Sequence, residues 1–210
     1  MAKRYWKVVV AGLICTTTAF GFAACEDEKK PSAGTGVGIS EEKWELMLSE
    51  ENFENYTLTQ SGYIVYEGTG NDGAIQQDAV VKFADGKVQI TMELDGGEAD
   101  TVVFTGEEAN LQKSIYSQVF MALLDAYDSY TYDETNDVYE VNETVTVEFE
   151  AYGMPVVIVM EEGQAKISKD GKIVDFVCDF TQTTGEVISR TEMHWTFSDY
   201  GTTVITDDAQ

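Results

Sequence analysis

The feature that most constrains this chain is a period of two that keeps returning. Val88, Ile90, Met92 and Leu94 alternate with Gln89, Thr91 and Glu93, and Val145, Val147 and Phe149 alternate with Thr144, Thr146 and Glu148. Near the end, Val187, Ser189, Thr191, Met193, Trp195 and Phe197 alternate with Ile188, Arg190, Glu192, His194 and Thr196. Successive side chains of a strand point to opposite faces, so this pattern predicts strands with one side on a core and one in water, the usual state of an antiparallel sheet. Asp85-Gly86, Gly96-Gly97 and Asp170-Gly171 supply the glycines that tight hairpins use. Further strands are expected at Tyr63 to Tyr66, Ala79 to Phe83, Thr101 to Thr105 and from Tyr130 to a turn near Thr135 to Asp137. Val174, Phe176, Cys178 and Phe180 should share one face. Val156 to Met160 is apolar on both sides, which predicts a central or doubly covered strand, with Pro155 admitted only at its start.

Two stretches break the alternation. Ser40 is a good N-cap, with Glu41 and Glu42 where carboxylates favour a helix start, and Trp44, Met47 and Leu48 then fall on one face. Ser49, Glu50 and Glu51 can restart a turn leading to Phe53. Residues 107 to 127 carry Leu111, Ile115, Val119, Ala122, Leu123 and Ala126 at helical spacing, widened by Tyr116, Phe120, Leu124 and Tyr127. A helix this apolar must be covered, and the flanking sheet is the cover expected. The fold class is therefore α+β, mainly antiparallel, with one long and one short helix on a curled sheet.

At the N-terminus, Lys3, Arg4 and Lys7 precede an uncharged run from Val8 to Ala24, and Phe22-Ala23-Ala24-Cys25 follows as a leader ending would. The run is shorter than the roughly 20 residues of a spanning helix and has Thr16 to Thr18 in its middle. The ending resembles a bacterial lipobox, with Phe22 where leucine is usual. That resemblance implies a lipoprotein signal peptide over residues 1–24 and a palmitate-type acyl anchor on Cys25. A plain signal peptide with an incidental cysteine is the alternative. Residues 25–39 are glycine-rich and poor in apolar side chains, so they read as a disordered tether of roughly 20 Å, leaving a single domain over residues 40–206.

Charge and cysteines narrow the partners. Losing the leader's three cations takes the formal charge from −25 to −28, which excludes nucleic acid as a partner. Acyl chains outweigh the repulsion of anionic headgroups, so the anchor holds the membrane and the acidic body stands off it. With Cys15 in the leader and Cys25 acylated, only Cys178 remains, and no intrachain disulfide is available. A calcium loop starting at Asp133, with Asp137 and Glu140, fails because its sixth and twelfth positions are Val138 and Thr144. His194 is the only histidine and lies on a polar face, so neither a zinc site nor a serine or cysteine nucleophile scheme is supported. No cofactor or metal is expected.

The tether, the short helix with Trp44, the meander interrupted by one apolar helix, and the ending Trp195 to Ile205 together resemble envelope lipoproteins of the LolA/LppX-like half-barrel superfamily. Phe197 to Gly201, a strand running into a glycine turn and a short terminal strand, is the most family-like piece. The resemblance implies a hydrophobic cleft between sheet and helix that carries a lipid or another amphipathic ligand. Such a cleft would be lined by Val88, Ile90, Met92, Leu111, Ile115, Val119, Phe176 and Trp195. Three functions follow from the sequence. The first is a membrane-anchored, non-enzymatic carrier or binding lipoprotein outside the cytoplasm. The second is an envelope protein-protein interaction or structural module, and the third, least supported, is a two-carboxylate hydrolase.

Overall fold

The computed structural model of the protein describes residues 38–67, 74–151 and 154–206. Cys25, the leader and most of the tether lie outside the described residues. Helix α1 (Glu41–Met47) and a 3-10 turn (Glu50–Phe53) lead into strands β1 (Tyr56–Glu67), β2 (Ala74–Ala84), β3 (Lys87–Leu94) and β4 (Asp100–Thr105). Helix α2 (Gly106–Leu124) and a second 3-10 turn (Tyr127–Ser129) separate these from β5 (Tyr130–Asp133), β6 (Val138–Val141), β7 (Val145–Ala151), β8 (Met154–Ile167), β9 (Ile173–Thr184) and β10 (Val187–Ser198).

The strands form one antiparallel sheet in the order β4-β3-β2-β1-β10-β9-β8-β6-β5, with β7 also paired to β8. The first and last strands meet at its centre, from Thr57 opposite Ser198 to Glu67 opposite Ile188. This pairing joins an N-terminal meander to a C-terminal one. At Gly62 the two strands approach so closely that a Cβ would stand 2.2 Å from the Glu192 carbonyl oxygen, so only glycine fits there. Asp85 and Gly86 both adopt positive φ, as a two-residue hairpin turn with the right twist demands.

Helix α2 lies on the inner face and touches β3 and β4 near one edge of the curled sheet and β7 near the other. Its carbonyl end is satisfied from outside: Trp44 Nε1 donates to the Leu124 carbonyl at 2.7 Å, and the Tyr130 hydroxyl donates to the Leu123 carbonyl at 3.0 Å. Ser40 caps α1 as expected, its hydroxyl accepting from the Lys43 amide. Gly38 and Ile39, read as the last of the tether, are already packed: the Ile39 amide donates to the Tyr139 hydroxyl, and the Tyr127 hydroxyl donates to the Ile39 carbonyl at 3.2 Å.

Four expectations are corrected. The first two strands are longer than the alternation indicated, because pairing with β10 and β3 extends them past their apolar stretches. Helix α2 stops at Leu124 rather than Tyr127, where the chain tightens into the 3-10 turn. Val174 is not buried with Phe176, whereas Ile173 is, because the β8–β9 register shifts between Lys166 and Ile167. Among the described residues no terminal strand follows Gly201. The Thr203 amide donates to the Asn55 side-chain oxygen at 2.8 Å, and the Gly201 amide donates to the Asn55 carbonyl at 2.8 Å, so the segment is held as a turn.

Candidate functional site

The inner face is where a cleft was expected, and most of it is filled. Val88, Ile90, Ile115, Val119, Phe176 and Trp195 are all buried in one continuous apolar cluster, and Met92 and Leu111 are half-buried against it. Phe120 of α2 packs on Phe53, Trp195 and Phe197 at ring separations of 5.5, 6.3 and 5.1 Å, which closes the space between helix and sheet at that end. Trp195 stacks on Phe176 at 5.5 Å. Of the eight expected residues, Ile115, Val119 and Trp195 border a cleft of about 30 Å³ further up the sheet, and Val88 borders a separate hollow of about 350 Å³ between the β2–β3 turn and the start of α2.

That cleft is chemically unlike the rest of the interior. Gln60, Gln182, Ser189 and Thr191 enter it from β1, β9 and β10, beside Ile64, Tyr116, Phe180 and Met193. Gln60 is 2% exposed, and its side-chain oxygen accepts from Trp195 Nε1 at 3.1 Å while its Nε2 has no partner. Gln77, also 2% exposed, sits opposite Gly62 on β2 with its Nε2 unpartnered. The alternation of β10 placed Ser189 and Thr191 inward but gave no reason to single them out. Gln60 and Gln77 fall before the stretches Tyr63 to Tyr66 and Ala79 to Phe83 where strands were expected, in the parts of β1 and β2 that the alternation did not mark. Polar residues in core-facing registers are the signal that finds this place.

The outer face carries a wider feature. A trough of about 960 Å³ runs across β1, β10, β9 and β8, bordered by Tyr63, Val65, Val159, Thr181, Glu161, Glu162, Asp179, Arg190 and Glu192. Tyr63 is 49% exposed and Val65 36%. Arg190 Nε binds Glu67 at 2.9 Å, which engages the trough's one cation and leaves its four carboxylates unbalanced. His194, on the same face, pairs with Asp175 and stays exposed, with the Thr196 hydroxyl 3.4 Å away.

Hydrogen bonding and burial shift several titratable groups. Hydrogen bonds from the Thr135 amide and the Asn136 side chain hold Asp133 below the usual carboxylate range, and Ser168 does the same for Asp170. Burial pushes the Cys178 thiol far up, away from the reactive thiolate. Among the described residues, no group of three or more acidic, cysteine or histidine side chains is placed to hold a metal. The chain matches no known family model, and no curated protein sequence is similar to it.

Proposed function

We propose that the protein is an extracytoplasmic lipoprotein, fastened to a membrane through Cys25, whose folded domain is a non-enzymatic interaction module. Its partner is a basic segment of another envelope protein, seated in the outer trough. The observation that carries this reading is the contrast in free space between the faces. Small-molecule pockets begin at roughly 300 Å³, the inner cleft holds about 30 Å³, and the outer trough offers about 960 Å³. The trough combines exposed Tyr63 and Val65 with the carboxylates of Glu161, Glu162, Asp179 and Glu192. An apolar floor with one sign of charge at its border suits a partner of opposite charge, which is steered to it and held in register.

The LolA/LppX-like half-barrel belongs to the same reading, supported by a single curled antiparallel sheet with its long helix on the inner face. Carrying a whole lipid is the second reading. It requires α2 to move off the sheet far enough to expose the rings around Phe120, and nothing in the packed arrangement favours that.

Two experiments test the proposal. Labelled palmitate is incorporated by the wild type, and Cys25→Ser abolishes both labelling and membrane association; association that persists in the variant overturns the anchor. A photo-crosslinking side chain at position 65 of the anchored protein captures a partner through a lysine- or arginine-rich peptide, in a salt-sensitive way. The same group at Val204, exposed outside the trough, captures none. Capture at neither position, or equally at both, overturns the docking site.

A further inference from the structure

We infer that the inner cleft is a binding subsite for the terminal carbonyl or hydroxyl group of a small uncharged molecule. This is independent of the outer trough. Polar groups in a core register cost stability unless they are hydrogen-bonded, yet β1 and β10 present Gln60, Ser189 and Thr191 to one enclosed point, joined by Gln182 of β9. Gln60 is turned so that its oxygen is taken by Trp195 Nε1, which leaves the two N–H groups of Nε2 as donors without an acceptor. Gln60 Nε2 is itself buried behind the cleft wall, so an oxygen entering the cleft meets the hydroxyls of Ser189 and Thr191, which can each give or take a bond, and reaches the Gln60 amide only as that side chain turns toward it.

Size and charge define the guest. About 30 Å³ exceeds the roughly 10–15 Å³ that one water needs, so the cleft admits one small group at a time. No acidic or basic residue lines it, so an ion entering would be desolvated without a counter-charge. Ile115 and Val119 of α2 form the opposite wall and select for an apolar remainder next to the polar tip.

Acetamide and acetate differ in charge but hardly in shape, which makes them the probes. In full-length, nitrogen-labelled protein, acetamide shifts the Gln60 side-chain amide and the Thr191 backbone amide saturably, and acetate at the same concentration does not. Thr191→Val and Ser189→Ala each weaken acetamide binding up to about tenfold, the factor one net hydrogen bond supplies. Absence of an acetamide shift, equal shifts with acetate, or unchanged affinity in both variants overturns the subsite. Should a variant fail to fold, the acetamide–acetate contrast on the wild type decides alone.

Discussion

The inner face has two ends built on the same strands, and they solve burial differently. At one end Phe53, Tyr56, Phe83, Phe120 and Phe197 interlock, with ring centroids 4.5 to 6.4 Å apart. A few residues along the same strands, Gln60, Gln77, Ser189 and Thr191 are also buried, yet the side-chain nitrogens of both glutamines lack partners. Both ends obey the period of two, and both are buried. The difference teaches that alternation specifies which side chains go inward but not whether the interior they meet is cohesive. Stability should be concentrated at the aromatic end, and the polar end should contribute little or even oppose it.

That contrast can be broken by substitution. Phe120→Ala opens a cavity amid the rings of Phe53, Trp195 and Phe197 and should cost about 3–5 kcal/mol in urea unfolding; a loss under about 1.5 kcal/mol would place the cohesion elsewhere. Gly62→Ala drives a methyl into the β10 backbone and should cost about 1–3 kcal/mol, which would show that the polar end is tightly built even though it is weakly bonded. Gln77→Met keeps the shape and removes the unpartnered amide, so stability should stay level or rise by up to about 1 kcal/mol. A clear loss there would mean that the amide is satisfied and the two ends are alike.

The smallest effect is a control outside both ends. Asp133 is the last residue of β5, beside the β5–β6 turn, where its depressed proton affinity means that the folded state favours the carboxylate. Its contribution is present above the unfolded value of 3.8 and is lost as pH falls through the lower folded value. Asp133→Asn should therefore be slightly less stable than wild type at neutral pH, with the difference fading in acid. A difference that grows on acidification would reverse the sign argued here.

Much of this arrangement could be read from the residues. The alternation in β3, in β9 from Phe176 and in β10 from Ser189, the Asp-Gly turns, the Ser40 cap and the α2 stripe as far as Leu124 each have a local cause, and each appeared where expected. What stayed hidden depends on relations between distant segments. The β8–β9 register shift that turns Val174 away from the core has no mark in the sequence around it. The anchoring of residues 201 to 203 on Asn55 replaced an expected strand with a turn, and it joins positions 148 apart. For the cleft, periodicity identified eight inward residues but could not say how far along the strands α2 would lie. Ile90 and Phe176 are packed in the apolar cluster, whereas space remains beside Ile115, Val119 and Trp195 and, separately, beside Val88.

The attachment of the first described residues has a mechanical consequence. Ile39 is tied to Tyr139 of β6 and to Tyr127, and Trp44 is tied to the carbonyl end of α2. Tension arriving at residue 38 is thus divided among a strand, a turn and a helix before it can reach Tyr56, where β1 begins. A load applied at residue 38 is borne first by these contacts, and the strands that floor the outer trough keep their alignment while the chain is tugged.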